Sequence, residues 1–457
     1  MSTTVVDQRT KLRTFYTLIL TQTLSLIGSH MSSLALSIYV FNQTGDVTPL
    51  ALVSVFALIP QVFAASFAGV LADRWDRRYV MMLADAGQAV GTLLLLFSFL
   101  SGSFELWHLY AVTLLKAVFA VFQTPAFTAS VTMLIPNEQR ARANAIMELT
   151  GPSAGVVAPA LAGGLYALVG LSGIIAIDLI TFVIAAAVVL AVKIPRPAQT
   201  DVGRQMQGSL LKETFGGLRY LMGMRPLFML TLHIALVNFL FSGAGVLFTP
   251  YLLARTGSEA LMGALLGILN IGMIVGGVTM GVWGGTKVRM HTIMIGIIVA
   301  GLFLVFGGMA QNVLILGVMF FVMFIPMPMI NAAAMSLLQA KVPPDVQGRV
   351  FAVLTQIAML LMPIGYLLIG PLTDQVFEPA VSAAGWERIA PLVGSEPGAG
   401  MGLIMVISGA VLTILTAIVY AIPSIRRLES SLPDYVPIAH QPEDAPIVSA
   451  AAPVPGD

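Results

Sequence analysis

The sequence predicts an all-α integral membrane protein whose twelve transmembrane helices form two six-helix pseudo-symmetric halves. The first observation is composition: the 457 residues are 57% hydrophobic and 10% charged, with a mean hydropathy of +0.91. A soluble domain carries about 25% charged residues, so water cannot solvate this chain. The second is the number of long apolar runs, and the third is the segregation of lysine and arginine between the loops that join them.

Twelve apolar runs are long enough for the roughly 20 residues that a membrane-crossing helix needs. Charges, Gly/Pro clusters and turn residues separate them. The predicted spans 1 to 12 cover residues 15–42, 48–73, 78–101, 106–135, 143–168, 171–193, 227–253, 259–284, 289–310, 313–340, 348–377 and 400–423.

The positive charges support this number and predict an orientation. If both termini are cytoplasmic, the inner segments hold all 23 Lys and Arg except Arg255 and Arg388 in outer loops and Lys116 inside span 4. Cytoplasmic loops carry the excess of Lys and Arg in membrane proteins. We therefore predict a multi-pass protein of the cytoplasmic (inner) membrane, with both ends inside.

The longest inner connection divides the spans six and six. It predicts an N-terminal half over 1–193, a linker over 194–226 and a C-terminal half over 227–432. Apolar residues at helical spacing in the linker indicate an amphipathic helix, lying on the membrane surface or packed against the inner ends of the spans. Residues 433–457 contain six prolines and no long apolar run, which predicts a disordered cytoplasmic tail.

The two halves repeat each other. The turn from Gly69 to Arg77 has a counterpart from Gly281 to Arg289, and the turn over 136–142 recurs over 343–349. Duplicated halves are typical of transporters, in which one half rocks against the other around a site at the midplane. Because both halves lie in one chain, we expect a functional monomer.

The turn after span 2 resembles the loop 2–3 signature of the major facilitator superfamily. It reads Gly69-Val-Leu-Ala-Asp-Arg-Trp-Asp-Arg-Arg78. Shorter pieces resemble the bacterial macrolide-efflux and enterobactin-exporter branch, namely 32–36, 124–125, 134–144, 158–163 and 177–182. The resemblance implies the major facilitator fold and proton-coupled efflux of drugs, macrolide-like compounds or siderophores.

The signature residues predict a conformational latch. Gly69 allows two helices to approach closely, and Asp73 suits the N-terminus of a neighbouring helix, where backbone N–H groups favour an anion. The resemblance implies that this helix is span 11, near Gly348, and that the contact holds the outward-open state, with arginines bridging to Glu138 or Glu148. The alternative is that the arginines only fix topology. The predicted latch set is Gly69, Asp73, Arg74, Arg77 and Arg78.

The match to the family is incomplete. The signature has Gly where this chain has Asp76, and the second-half copy has Gly285 where an acid would stand. The span 4 and span 5 motifs of proton-coupled exporters are matched only in part, by Lys116 and Pro159. Proton coupling therefore depends on a weakened motif set.

Ionisable residues inside the spans are functional candidates, because each costs roughly 2.5–3.5 kcal/mol at a helix centre. We predict that Glu148, Asp178 or Asp85 carries the coupled proton, since a dehydrated carboxylate can exchange a proton for substrate. The alternative for Asp178 is a buried ion pair with Lys116 that holds the half together. Asp85 has a second interpretation as part of the inner charge cluster.

The resemblance implies that spans 1, 4, 7 and 10 line the substrate cavity. The methionines of span 10 suit a pocket that accepts several shapes, although methionine also fills gaps in ordinary cores. The predicted cavity residues are Gln22, His30, Lys116, Gln123, Asn238, Asn331, Met323 and Met327.

Several classes of function lack their sequence signals. There is no P-loop, no zinc-protease or nucleophile-elbow motif and no Cys/His ligand cluster, so we expect no enzyme activity, metal or cofactor. The balanced charge offers no basic face for nucleic acid. We predict a proton-driven exporter of amphipathic or hydrophobic compounds. The alternatives are uptake or lysophospholipid transport on the same fold, or a non-transporting receptor or assembly subunit.

Overall fold

A computed structural model describes residues 2–75, 77–135, 140–192, 219, 221–342 and 344–432. Ten helices of this part are long and apolar enough to cross a membrane. One of them, Leu149–Ala191, folds back at Gly170 into two rods, and the apolar helix Thr48–Ala64 continues to Arg74. The described residues therefore contain the twelve predicted spans, and the predicted fold class is confirmed.

The observed helices match the predicted spans to within a few residues at most ends. Spans 1 to 4 are Ser2–Thr44, Thr48–Arg74, Arg77–Leu100 and Leu106–Leu134. Spans 5 and 6 are the two arms of Arg140–Ala191. Spans 7 to 9 are Arg225–Thr256, Glu259–Trp283 and Arg289–Met309. Span 10 is Val313–Phe324 with Pro326–Lys341, span 11 is Pro344–Leu360 with Met362–Leu372, and span 12 is Ala399–Ala421.

Most of the predicted linker, 194–226, lies outside the described residues, as does the predicted tail, 433–457.

Local chemistry sets the short connections between spans. Gly170 has φ 65° and ψ −177°, a conformation that a side chain would disfavour, so spans 5 and 6 are joined by a single residue. Ser258 and Asn312 cap spans 8 and 10, because their side-chain oxygens accept hydrogen bonds from backbone N–H groups of the first turn. Pro326 starts the second segment of span 10, where its missing N–H costs nothing.

Span 11 leaves its regular course near its end. The helix Met362–Leu372 is followed by a π-helical turn, Thr373–Phe377, and then by Glu378–Ala380. Such turns are rare and recur at functional positions. We call the end of the bundle that carries this turn, together with the loops at 45–47 and 101–105, the Asp374 end. The opposite end, with the loop at 284–288 and the end of span 10 at Lys341, is the Arg78 end.

The two halves share a buried core at the Asp374 end. One buried apolar cluster at this end combines residues of both halves, including Ile38 and Val47 with Leu247 and Tyr251. At the Arg78 end, the buried apolar clusters of the two halves are distinct within the described residues. The described packing therefore joins the halves at the Asp374 end.

Small residues bring spans 5 and 8 into backbone contact across the halves. A side chain added at Gly163 would meet the carbonyl oxygen of Glu259 at 2.5 Å, and one at Gly263 would meet the carbonyl oxygen of Pro159. Close approach through small residues is the usual way in which helices associate inside a membrane. Nothing lies within 4 Å of the corresponding position at Gly164.

These adjacent glycines give a matched test of the contact between spans 5 and 8. We expect Gly163→Val to lower the melting temperature, because overpacking costs about 1–3 kcal/mol. Gly164→Val places the same side chain in open space and should change the melting temperature much less. Scanning fluorimetry in detergent measures both, and an equal loss in the two variants would contradict the contact.

Candidate functional site

Asp178 is the centre of a polar cluster that joins four spans of the N-terminal half. Its carboxylate accepts hydrogen bonds from Ser29 Oγ at 3.0 Å, Thr92 Oγ1 at 3.3 Å and Lys116 Nζ at 3.1 Å. Asp178 is fully buried, while the Lys116 side chain is 23% exposed. The lysine also lies over the ring of Phe182, which gives its charge a second favourable contact. The charge of Asp178 is therefore compensated by Lys116, and its carboxylate is held in place by three hydrogen bonds.

Asp85 lies in a second cluster with a different chemistry. Gln123 Nε2 donates to one carboxylate oxygen at 2.5 Å, and Gln22 Nε2 donates to the other at 3.3 Å. Gln88 donates to Gln123 Oε1 at 2.7 Å. Asp85 is fully buried, and within the described residues it has no ion pair. Its partners are neutral amides from spans 1 and 4.

The two clusters differ in how they respond to a proton. Protonation of Asp178 would leave Lys116 without its counter-charge inside the membrane, which is costly. A glutamine amide carries both donors and an acceptor. It can therefore turn to present N–H to an ionised Asp85 or oxygen to a protonated one. A protonated Asp85 leaves no partner with an uncompensated charge, and an ionised Asp85 keeps hydrogen bonds from both amides.

A cavity of about 410 Å³ lies between the halves, near the middle of span 7. Four aromatic residues and one methionine form half of its lining, and among the described residues that line it none carries a charge. Its lining is Ser54, Asn238, Phe241, Ser242, Gly245, Val246, Phe248, Phe324, Met362 and Tyr366.

Backbone carbonyls accept a hydrogen bond from each of three polar groups in this wall. Asn238 Nδ2 donates to Ala358 O at 3.0 Å, Ser242 Oγ to Phe239 O at 3.0 Å and Ser54 Oγ to Leu50 O at 3.2 Å. Asn238 keeps a second N–H, and the oxygens of all three groups keep free lone pairs, so acceptors outnumber donors among these groups. Together with the negative faces of the aromatic rings, they favour a ligand that brings hydrogen-bond donors or a diffuse positive charge.

The predicted cavity residues divide among several places, and Asn238 alone of them lines this cavity. Gln22 and Gln123 belong to the Asp85 cluster, and Lys116 belongs to the Asp178 cluster. Met323 is completely buried in the apolar cluster of the Asp374 end, with Met327 packed against it. His30 and Asn331 are exposed.

The latch residues are described only in part. The surroundings of Gly69 and the side chains of Asp73, Arg74 and Arg77 lie outside the described part of the structure, and so does the side chain of the proton-coupling candidate Glu148. Arg78 donates from Nε to Val189 O at 3.2 Å and from Nη2 to Leu190 O. It therefore binds carbonyls at the end of span 6, where a cation complements the helix dipole.

The sequence analysis missed the aromatic wall of the cavity. Phe241, Gly245 and Phe248 follow Asn238 at spacings of three, seven and ten residues, which places all four on one face of span 7. This helical periodicity is the feature of the sequence that could have indicated the cavity wall. Asp374, close to the end of span 11, was also missed.

Known proteins resemble this chain over most of its length. The family model of the Major Facilitator Superfamily matches residues 18–366. Macrolide efflux protein A of Streptococcus pyogenes is 28% identical over 366 residues, which cover 79% of this chain and 90% of that protein. The multidrug efflux pump Tap of Mycobacterium bovis is 27% identical over 358 residues, which cover 76% of this chain and 84% of that protein.

Solved structures resemble the fold. A bacterial homologue of the human lysosomal transporter Spinster, in an inward-facing and unoccupied conformation, aligns with a TM-score of 0.73 at 16% identity. The alignment covers 93% of this chain and 99% of that one. The nucleoside transporter NupG aligns with a TM-score of 0.64 at 14% identity, over 89% of this chain and 99% of that one.

The Asp178 cluster generates a double-mutant prediction. We expect Asp178→Asn to destabilise the protein by about 3 kcal/mol, because it leaves Lys116 without its partner. Adding Lys116→Met should recover most of that loss, because the pair is then removed together. Melting temperatures of the two single variants and the double variant measure the coupling, and additive losses would show that the two residues act independently.

Proposed function

This chain belongs to the major facilitator superfamily, and on that premise we propose that it is a proton-coupled exporter of amphipathic or hydrophobic small molecules. It is a multi-pass membrane transporter with efflux proteins among its relatives. The observation that carries the proposal is the uncharged aromatic cavity between the two halves. We place the protein in the cytoplasmic membrane with both termini inside, in line with the distribution of Lys and Arg.

The chemistry of the cavity favours bulky apolar substrates that carry a donor or a positive charge. Its wall presents the rings of Phe241, Phe248, Phe324 and Tyr366, while Asn238 supplies an acceptor. Flat, uncharged walls tolerate different shapes, and Met362 adds an adaptable surface. Macrolide-like amines and lipophilic cations fit this description.

We assign proton coupling to Asp85. The support is its neutral amide environment, in contrast to the ion pair of Asp178. Gln22 and Gln123 belong to spans 1 and 4, which we expect beside the substrate pathway. If their amides turn when Asp85 is protonated, the change in hydrogen bonding acts on these two helices directly. Protonation of Asp85 and binding of substrate would then favour different conformations of the N-terminal half, so each would weaken the other.

We infer that this arrangement is inward-open, because a shared apolar cluster and the Asp374 contact close the end that the predicted orientation places outside. The Arg78 end, where the described apolar clusters of the halves are distinct, is the end that the positive charges indicate as cytoplasmic. An exporter in this state receives substrate from the cytoplasm or from the inner leaflet of the membrane. Its outer side is closed by the contacts of the Asp374 end.

The coupling test uses purified protein in liposomes with an imposed pH gradient, an internal pH dye and a panel of macrolides, lipophilic cations and neutral amphiphiles. We expect substrate to dissipate the gradient with the unaltered protein and not with Asp85→Asn. The variant should still exchange labelled substrate, because its cavity is intact. Glu387→Gln, which removes an exposed loop carboxylate, is the matched control.

Two outcomes would contradict the assignment. Substrate-dependent proton flux that persists in Asp85→Asn would move the proton site to another acid, with Glu148 next in line. A gradient that no compound dissipates, while labelled substrate still equilibrates, would make the protein a facilitator or the user of another ion.

The cavity itself is tested by binding of a lipophilic cation such as tetraphenylphosphonium. We expect Phe324→Ala to raise the Kd about tenfold, because a desolvated cation–aromatic contact contributes roughly 1–2 kcal/mol. Phe97→Ala makes the same change at a ring that is 69% exposed and should leave the Kd unchanged. Equal affinities in the two variants would show that the ligand binds elsewhere.

A further inference from the structure

The closure at the Asp374 end contains a polar contact between the two halves. Asp374, in the π-helical turn after span 11, accepts hydrogen bonds from Val47 N and Thr48 N at 2.8 Å each and from Thr48 Oγ1 at 2.5 Å. All three donors belong to the start of span 2 in the other half. A carboxylate at a helix N-terminus satisfies backbone N–H groups that have no partner within the helix and complements the helix dipole.

Backbone packing fixes the geometry of this contact. A side chain added at Gly370 would meet Thr48 Cα at 2.6 Å, so spans 11 and 2 touch one turn before Asp374. The π-helical turn then directs the carboxylate over the N-terminus of span 2. Among the described residues of span 2, no side chain accepts a hydrogen bond from Val47 N or Thr48 N, so the cap of this helix comes from the other half.

Other acids at this end do not reach across. Asp46, Glu259, Asp374 and Glu378 line one cavity of about 510 Å³, and of these four only Asp374 accepts hydrogen bonds from the opposite half in the described structure. Glu378 accepts from Met401 N, within its own half. The cavity is large enough for water, which can replace the three hydrogen bonds when the halves separate.

We propose that Asp374 is the conformational latch of the outer closure: by capping span 2 from span 11, it holds the Asp374 end shut while the Arg78 end is open. Two apolar surfaces alone would make a closure that depends only on packing. The carboxylate adds a directional contact that exists in the closed arrangement and is lost when the halves move apart. Asp374 therefore sets the ratio of the two states without contacting substrate.

The test measures distances at both ends with spin-label pairs. The chain has no cysteine, so introduced cysteines are the only labelling sites. One pair, Ser103→Cys with Ser382→Cys, spans the halves at the Asp374 end, and another, Ala191→Cys with Val282→Cys, spans them at the Arg78 end. All four positions are exposed. Measurements at constant pH without substrate keep the result separate from proton coupling and from the substrate cavity.

We expect Asp374→Asn to change the ratio of the two states by about tenfold or more, because a hydrogen bond to a charged group contributes roughly 1.5–3 kcal/mol and each 1.4 kcal/mol is a factor of about ten. The distance at the Asp374 end should lengthen as that at the Arg78 end shortens. Thr48→Val, which removes one of the three donors, should shift both in the same direction by less. Glu378→Gln, a carboxylate bonded within its own half, should leave both distances unchanged.

Unchanged distances in Asp374→Asn would overturn the proposal. So would an equal shift in Glu378→Gln, because the effect would then come from loss of charge in the cavity. If Asp374→Asn does not yield folded protein, Thr48→Val decides the matter, since it leaves every charge in place. Distances in Thr48→Val identical to those of the unaltered protein would then overturn it.

Discussion

The interior of a bilayer offers no water to a polar group, and this constraint organises the whole molecule. Each buried charge must be compensated within the part of the protein that moves with it. The Lys116–Asp178 pair meets this requirement inside the N-terminal half, because its partners come from spans 1, 3, 4 and 6. That half can then tilt as a unit without separating this pair.

Contacts between the halves are built differently from contacts within them. Within a half, apolar clusters and side-chain hydrogen bonds are continuous along the spans. Between the halves, a shared apolar cluster at the Asp374 end is joined by glycine contacts of spans 5 and 8 and by the contact of one carboxylate with the N-terminus of span 2. The small-residue surfaces of spans 5 and 8 can separate and pack again without exposing large side chains of their own. The interface is therefore close-packed and still reversible.

The sequence alone predicted the spans well, because hydrocarbon makes charged residues rare in every span whatever its neighbours. It could not identify the cavity wall: Phe97 and Phe241 are alike in an apolar run, although one is exposed on the bundle and the other lines the cavity. Asp374 was missed for a similar reason. Near the end of a predicted span it looks like an ordinary boundary residue, and its role depends on where span 2 begins in space.

The one-residue connection at Gly170 has a mechanical consequence. Span 5 packs against the opposite half through Gly163, and span 6 carries Asp178 at the centre of its own half. Because a single residue joins them, span 5 cannot be displaced without displacing the adjoining end of span 6. A movement at the contact between spans 5 and 8 is therefore coupled to the Asp178 cluster of the N-terminal half.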